Sequence, residues 1–282
     1  QASHAVIQSL AAALPEILGG SADQAGSNLT RIEGAPSFLT SNIEIKSNSP
    51  FAGPHSPYGR VLHFGIREHA MGAIVNGMSL DGLLKPFGGT FFVFSDYMRG
   101  AVRLSALMNV PVVFVWTHES LGVCEDGPTH QPIAQLWSFG AMPQFNMARP
   151  ADATETAVVW RTALENGTPT GLALSRQGVP VIDREKHASA ELAAKGGYIL
   201  SEADGGDPEV LLLATGTEVS IALGAQEQLA VKGVRARVVS LPCLEWFEAQ
   251  EQSYKDEVLP PSVRARVSVE AGATIGWWKY IG

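Results

Sequence analysis

The sequence lacks the features by which membrane, secreted and nucleic-acid-binding proteins are usually recognised. Its 282 residues include only two cysteines, Cys124 and Cys243, which lie far apart and in no CxxC spacing. No apolar run approaches the ~18 residues that a membrane-spanning helix needs. Acidic residues outnumber basic ones, 28 to 20, which argues against a surface for nucleic acid or anionic lipid. We therefore expect no nucleic-acid or membrane partner, and the few cysteines favour a cytoplasmic location.

Apolar runs that alternate with helical patterns predict an α/β fold. The run VPVVFVW at 110–116 is continuously apolar, as is typical of a strand buried on both faces of a parallel sheet. Other strands are predicted at 61–66, 85–94, 170–176, 209–216, 234–241 and 266–272. A helix at 217–231 joins two of them into a parallel strand–helix–strand unit. We expect a parallel-sheet domain at 1–184, a linker at 185–196 and a smaller, apparently truncated α/β domain at 197–282.

Helical patterns follow several of these strands, at 67–80, 94–107 and 152–167. The last has the clearest end signals. Asp152 is placed as the N-cap, Glu155 stands three residues later as in a capping box, and Gly167 is placed to end the helix.

Polar and aromatic side chains gather where the predicted strands end. The groups are Arg67, Glu68 and His69; Phe91, Phe94 and Tyr97; His118, Glu125, Asp126 and His130; and Ser175, Arg176 and Gln177. Taken singly, each has a structural explanation, such as a glutamate favoured at a helix start or an aromatic stripe in the core. Taken together they indicate a ligand site, because ligands bind at the carboxyl ends of parallel strands.

The loop THESLGVCEDGPTHQP at 117–132 is open to two interpretations. His118, Glu125 and His130 could supply three zinc ligands, although the sequence contains no HExxH string. Glycines and a proline within the loop also indicate a close-fitting backbone path, on which polar side chains could bind the hydroxyls of a polyol. The residues alone leave metal binding and polyol binding equally open.

Several strings, in order along essentially the whole chain, carry a resemblance to one family. They are GGSADQAGSNLT (19–30), HFGIREHAMGAI (63–74), KPFGGTFFVFSDYMRGAVRLSAL (85–107), THESLGVCEDGPTHQP (117–132), RPADATET (149–156), LSRQGVPV (174–181) and VSVEAGATIGWWKYIG (267–282). The chain strongly resembles transketolase, in the part that follows the family's N-terminal diphosphate-binding domain. REHAMGAI together with EDGPTHQP is the most specific element. The resemblance implies a pyrimidine-type thiamine-diphosphate-binding domain and part of a C-terminal domain.

The resemblance also implies a function: transfer of a two-carbon ketol unit from a ketose phosphate to an aldose phosphate, as in the pentose phosphate pathway and the Calvin cycle. Glu68 matches the glutamate that hydrogen-bonds the pyrimidine ring of thiamine diphosphate and takes part in its acid–base chemistry. Phe91, Phe94 and Tyr97 match the aromatic pocket around that ring, with Phe94 as the stacking side chain.

Further matches assign the substrate-binding residues. His118 and Asp126 match residues near the reacting carbon and the sugar hydroxyls, and His118 is expected to be catalytic as well. Ser27, His130 and Arg176 match the set that binds the terminal phosphate, for which a guanidinium is well suited. Asp23 is expected to help fix the cofactor or dimer geometry.

By the same resemblance, Mg²⁺ or Ca²⁺ would be ligated by the diphosphate-binding domain, and no metal ligand is assigned within this chain. The partners implied are sugar phosphates, a second copy in a homodimer, and that N-terminal domain in cis or in trans. Alone, the chain is expected to be catalytically incomplete. Three hypotheses follow: part of a full transketolase, one subunit of a split transketolase or related thiamine enzyme, or a non-catalytic binding or dimerisation module.

The chain departs from the family pattern at three positions. Glu119 stands where aspartate is usual, Gly100 where proline is common, and Cys124 where glycine is expected. If the backbone at Cys124 needs a positive φ, a side chain there would add strain of ~1 kcal/mol or more.

Overall fold

The fold is that of a computed structural model, which describes residues 1–47 and 53–282 but, at 123–125, the backbone only. The strands are β1 Ile17–Ser21, β2 Ser37–Phe38, β3 His55–Ser56, β4 Val61–His63, β5 Lys85–Phe91, β6 Val113–Thr117, β7 Asn146–Ala148, β8 Thr170–Leu174, β9 Tyr198–Ser201, β10 Val210–Ala214, β11 Ala236–Ser240 and β12 Arg266–Val269. The α-helices are α1 Ala2–Ala13, α2 Ala25–Asn28, α3 Glu68–Ser79, α4 Arg99–Met108, α5 Gln135–Gly140, α6 Ala153–Asn166, α7 Glu218–Val231, α8 Leu244–Glu248, α9 Gln252–Val258 and α10 Trp278–Ile281. Short 3₁₀ helices occur at Phe92–Met98, Leu121–Asp126, Pro128–His130, Ala190–Lys195 and Ile275–Trp277.

Two sheets organise the chain and confirm the predicted α/β class. The larger has eight strands in the order β3-β2-β4-β1-β5-β6-β8-β7, all paired in parallel. The smaller has the order β12-β10-β11-β9, in which only β9 runs antiparallel to its neighbour. The predicted strand–helix–strand unit is confirmed as β10, α7 and β11. Within the residues described, no helix is both long and apolar enough to cross a membrane.

The strand β6 lies at the centre of the larger core. All five of its residues are buried, as its continuous apolar sequence predicts for a parallel sheet covered on both faces. On one face, the Trp116 ring stacks with Phe114 and Phe92, at centroid distances of 5.7 and 5.4 Å. On the other, Phe87 of β5 meets Trp160 of α6 edge to face. Packing on both faces makes β6 a firm support for the residues at its carboxyl end.

The predicted strand at 85–94 is too long. It ends at Phe91, and the chain turns at once into the 3₁₀ helix Phe92–Met98. The apolar run does not stop there because Phe92 remains in the core against Trp116, while Ser95 Oγ donates to the Phe92 carbonyl and closes the turn. The predicted strand at 266–272 is likewise shorter, ending at Val269.

Helix α6 has the predicted ends. The Asp152 carboxylate accepts a hydrogen bond from the Glu155 amide at 2.8 Å, and Gly167 ends the helix with a left-handed φ of 64°. The reciprocal half of the capping box differs, because the Glu155 carboxylate accepts from the Ala151 amide, not from that of Asp152. Asp152 also accepts from the amide of Ile182 and pairs with Arg184, so this cap fixes two further segments.

Replacing Asp152 by alanine is expected to lower the free energy of unfolding by at least about 2 kcal/mol, because the cap and buried amide partners lose their acceptor together. Urea unfolding followed by circular dichroism measures the effect. Ser189→Ala is the matched control, since Ser189 caps a 3₁₀ helix through a single exposed hydrogen bond of 3.3 Å. A loss no larger than that of the control would contradict this account of α6.

The segment predicted as a linker, 185–196, contains the 3₁₀ helix Ala190–Lys195, which packs against α6. Arg161 of α6 pairs with Glu191 at 2.5 Å on the exposed side of that contact. The domain boundaries themselves stay a prediction.

Candidate active site

The predicted site residues follow neighbouring strands of the larger sheet. Ser27 follows β1, Glu68 follows β4, Phe91 ends β5, His118 follows β6 and Arg176 follows β8. These five strands are adjacent and parallel, in the order β4-β1-β5-β6-β8. Their carboxyl ends therefore meet at one edge, where the rule for parallel sheets puts ligands.

Three aromatic residues stack in a row at this edge. Phe91 and Phe94 are 5.9 Å apart between ring centroids with planes 10° apart, and Tyr97 continues the row at 6.1 Å from Phe94. The 3₁₀ helix explains the row, since three residues per turn place side chains i and i+3 directly above one another. Tyr97, at the outer end, is 68% exposed.

Both histidines of the 117–132 loop contact this row. The His118 ring stacks on Phe91 with 3.7 Å between centroids and 26° between planes. The His130 ring meets Phe94 edge to face at 5.2 Å, and Phe91 at 6.2 Å. Five residues that sequence analysis assigned to two separate groups therefore form one cluster, called here the aromatic–histidine cluster: Phe91, Phe94, Tyr97, His118 and His130.

His118 is held in an uncommon conformation. Its φ is 59°, a left-handed value that is rare for residues other than glycine, and its side chain is buried. Burial is the largest effect on the His118 pKa and lowers it, the positive charge of Arg176 lowers it further, and Asp126 opposes both. The lowered pKa favours the neutral imidazole at pH 7. Because Arg176 and Asp126 both act on the His118 ring, their charges lie close to the cluster.

Glu68 is the first residue of α3 and only 9% exposed. Acidic side chains are common at this position of a helix. Helix α3 packs against β5 and against the 3₁₀ helix that carries Phe94 and Tyr97. Glu68 thus lies at the same edge as the aromatic–histidine cluster.

Ser27 is exposed on α2, next to the buried Asn28. Asp23 precedes that helix with a φ of 64°, and it lines a cavity of about 340 Å³ together with Ser21 and His63. An aspartate tolerates this left-handed conformation better than most side chains.

Four residues that hold the site together were not predicted from the sequence. Asn28 and Thr117 are joined by a 2.5 Å hydrogen bond, and Asn28 also donates to Ser21. Gln24 accepts from the Phe91 amide and from the Thr90 hydroxyl. A signal was present, because three of these residues lie within the GGSADQAGSNLT string and Thr117 directly precedes His118.

Glu119, which departs from the family's aspartate, has a buried partner. Its carboxylate lies 2.6 Å from Arg149 Nε, and Arg149 also pairs with Glu218 and, at 3.4 Å, with Glu270. Arg149 donates to Thr215 as well, so this group ties the larger sheet to the smaller one. Burial raises the pKa of both Glu119 and Glu270, against the lowering effect of Arg149.

Two predictions fall on side chains outside the described part of the chain. Cys124 and Glu125 belong to the 3₁₀ helix Leu121–Asp126, but their side chains are not described. The zinc triad that includes Glu125 is therefore not tested. The strain expected at Cys124 requires a positive φ, which is not the conformation of a 3₁₀ helix. Among described residues, no group of three His, Cys, Asp or Glu is arranged to hold a metal ion.

Known families match nearly the whole chain. Residues 1–181 match the family described as the transketolase pyrimidine binding domain, and residues 196–282 match the transketolase-like TK C-terminal domain. The transketolase of Mycobacterium tuberculosis is 54% identical over 288 residues, which cover 100% of this chain and 40% of that protein. The transketolase of Geobacillus stearothermophilus is 52% identical over 278 residues, 98% of this chain and 40% of the relative. The chain thus spans about 40% of the length of these curated relatives.

Solved structures agree with these relatives. The transketolase of Pichia stipitis, in complex with sedoheptulose-7-phosphate, superposes with a TM-score of 0.90 at 41% identity, over 99% of this chain and 39% of that chain. A split-gene transketolase described as an inactive beta4 tetramer superposes with a TM-score of 0.70 at 25% identity, over 98% of this chain and 79% of that one. Fold, sequence and the order of the two matched domains agree, and the chain belongs to the transketolase family.

Proposed function

We propose that this chain is the pyrimidine- and substrate-binding part of a transketolase that transfers a two-carbon ketol unit from a ketose phosphate to an aldose phosphate, with thiamine diphosphate as cofactor. The observation that carries the proposal is the aromatic–histidine cluster, which joins a stacked ring surface to two histidines at the carboxyl edge of the sheet. Ketol transfer of this type occurs in the pentose phosphate pathway and in the Calvin cycle.

The side chains at the edge fit the cofactor's aminopyrimidine ring. Phe91, Phe94 and Tyr97 would contact the ring, and the exposure of Tyr97 and Ile66, 68% and 78%, leaves apolar surface for a planar ligand. When bound, thiamine diphosphate supplies the carbanion chemistry that protein side chains cannot. Glu68 would hold a proton toward a ring nitrogen of the pyrimidine. Burial of that carboxyl group limits competition from water.

The polar residues at this edge of the sheet would suit a phosphorylated sugar. His118 and Asp126 would bind hydroxyls next to the reacting carbon, and His118 would also move a proton there. Ser27, His130 and Arg176 would bind the terminal phosphate, where the exposed guanidinium of Arg176 can donate two parallel hydrogen bonds. Asp23 would help to fix the cofactor or dimer geometry.

The proposed assembly is a homodimer that includes a diphosphate-binding domain, which would ligate Mg²⁺ or Ca²⁺, in the cytoplasm. Helices α3 and α4 pack together, and large apolar side chains on them and directly after α3 are exposed, which supports a subunit contact in this part of the chain. These side chains are Ile74, Leu80, Leu104, Leu107 and Met108.

The test is complementation. The chain is mixed with the N-terminal diphosphate-binding domain of a transketolase, thiamine diphosphate and Mg²⁺, and ketol transfer between a ketose phosphate and an aldose phosphate is measured. We expect activity that requires all three additions, in an assembly that sediments with two copies of this chain. Association without cofactor-dependent transfer would instead support the non-catalytic binding or dimerisation module.

A split enzyme is the second candidate, favoured by the 79% coverage of the split-gene chain. In that case the diphosphate-binding domain is a separate protein. Intact-mass measurement of the protein purified from its source distinguishes the two, because a full transketolase is more than twice the mass of this chain if it has the length of the relatives.

A further inference from the structure

A buried chain of hydrogen bonds runs from the His118 ring to a backbone carbonyl. The His118 Nδ1 atom lies 2.9 Å from Thr117 Oγ1, which donates to Asn28 Oδ1 at 2.5 Å. Asn28 Nδ2 donates to Ser21 Oγ at 2.6 Å, and Ser21 Oγ donates to the Gly89 carbonyl at 2.9 Å. Every side chain in this series is less than 10% exposed: Ser21 3%, Asn28 3%, Thr117 9% and His118 8%.

The carbonyl at the far end determines the direction of every bond. A carbonyl oxygen only accepts, so the single Ser21 proton must point to Gly89, and Ser21 Oγ then accepts from the Asn28 amide nitrogen. The Asn28 oxygen accepts in turn from the Thr117 hydroxyl. Since the single Thr117 proton is used in that bond, Thr117 Oγ1 is left to accept from His118, and Nδ1 must carry a hydrogen.

With the Asn28 amide in the reverse orientation, there are too few protons for these hydrogen bonds. With its oxygen facing Ser21, the one Ser21 proton would have to serve two acceptors, Asn28 Oδ1 and the Gly89 carbonyl. One pair of oxygens would then face each other unbonded in a buried site, which is unfavourable.

We propose that Thr117, Asn28 and Ser21 are positioning residues that fix His118 as the Nδ1–H tautomer, so that Nε2 is a hydrogen-bond and proton acceptor for a substrate hydroxyl. The role in catalysis rests on the function proposed above; the tautomer does not. In a neutral imidazole, one ring nitrogen donates and the other accepts, and the bond made by the first determines the role of the second. The stack on Phe91 fixes the ring plane, and Thr117 fixes the proton within that plane.

The tautomer is directly measurable in this 282-residue chain, without cofactor or substrate. With ¹⁵N-labelled histidine, long-range ¹H–¹⁵N spectra at neutral pH distinguish protonated from unprotonated ring nitrogens. The His118 signals, among those of seven histidines, are assigned by their loss in His118→Gln. We expect a protonated Nδ1 and an unprotonated Nε2. A protonated Nε2 in the unchanged chain would overturn the proposal, whatever the variants do.

Thr117→Val is the informative variant because it keeps the branched shape in β6 and removes only the hydroxyl. We expect it to move the His118 population toward the Nε2–H tautomer, while Thr117→Ser, which keeps the hydroxyl, retains the Nδ1–H form. Ser21→Ala removes the hydroxyl that donates to the Gly89 carbonyl, so the direction of the other hydrogen bonds is no longer determined. We expect a mixture of the two His118 tautomers in this variant. An unchanged tautomer in both Thr117→Val and Ser21→Ala would overturn the proposal.

In the complemented assembly, Thr117→Val is expected to lower kcat/KM by about tenfold or more, as loss of a histidine-orienting partner does elsewhere, with recovery in Thr117→Ser. An undiminished kcat/KM in a variant whose tautomer has changed would overturn the role in catalysis. If the unchanged chain supports no ketol transfer, the proposed function fails while the tautomer result stands, so the two failures are distinguishable.

Discussion

Replacement of Glu68 by glutamine is expected to lower ketol transfer by the complemented assembly by at least about 100-fold, the usual contribution of a positioned acid–base group. Glutamine keeps the size of the side chain and can still donate a hydrogen bond, but it cannot gain or lose a proton at pH 7. The loss should therefore appear mainly in kcat, with a smaller change in the cofactor concentration needed for half-maximal activity. Steady-state kinetics at varied cofactor and substrate concentrations separate the two.

Glu227→Gln is the matched control for Glu68→Gln. Glu227 is an exposed glutamate of α7, on the smaller sheet and away from the candidate active site. The control variant should have unchanged kinetics. Near-normal kcat in Glu68→Gln, with both variants folded by circular dichroism, would show that Glu68 has no acid–base role.

Replacement of Arg149 by methionine should cause the largest loss of stability, about 3–5 kcal/mol, because the carboxyl groups left by a broken buried ion pair have no compensating cation. Here three carboxyl groups would be left around one missing cation, from Glu119, Glu218 and Glu270. The contact joins the two sheets, so the variant should also lose cooperativity between them. Urea unfolding, followed by tryptophan fluorescence and by circular dichroism, measures both effects.

The loss in Arg149→Met should grow as pH rises above 4.5, the ordinary pKa of these carboxyl groups. Burial already raises the pKa of Glu119 and Glu270, and without the cation their pKa values rise further. The folded variant then binds protons that the unfolded chain has released, so its stability falls as pH increases.

Arg161→Met is the comparison for Arg149→Met. Arg161 pairs with Glu165 and Glu191, but its side chain is 47% exposed. Its replacement should change the free energy of unfolding by less than about 1 kcal/mol, as is usual for surface ion pairs. Equal losses at the two arginines would mean that the buried group does not hold the sheets together.

The parts of the fold that could be predicted are those in which local pattern and burial agree. The run 110–116 and the capped helix at 152–167 are examples. The strand β1 escaped prediction because its sequence, ILGGS, contains two glycines that weaken the strand signal. Their reason is three-dimensional: a Cβ at Gly20 would lie 1.8 Å from the Leu62 carbonyl oxygen, and one at Gly19 would lie 2.3 Å from that of Phe87. The strand β1 lies between β4 and β5, and this position requires glycine at 19 and 20. The requirement cannot be read from the order of residues along the chain.

The candidate active site, too, could be predicted only in part from the sequence. Its general place could be predicted, because the ends of parallel strands meet at one edge whatever the details of pairing. The stack of Phe91, Phe94 and Tyr97 could not be, since it needs the 3₁₀ turn that replaced the end of a predicted strand. The hydrogen bonds that hold His118 could not be predicted from the sequence either, because Thr117 and its partner Asn28 are 89 residues apart.

A crystal structure of the complemented assembly with thiamine diphosphate and a ketose phosphate tests the proposed function most directly. We expect the pyrimidine ring against Phe94 with a ring nitrogen at the Glu68 carboxyl group, the sugar hydroxyls at His118 and Asp126, and the phosphate at Arg176. A pyrimidine ring bound away from the aromatic–histidine cluster, or a sugar that does not contact His118, would contradict the proposed function.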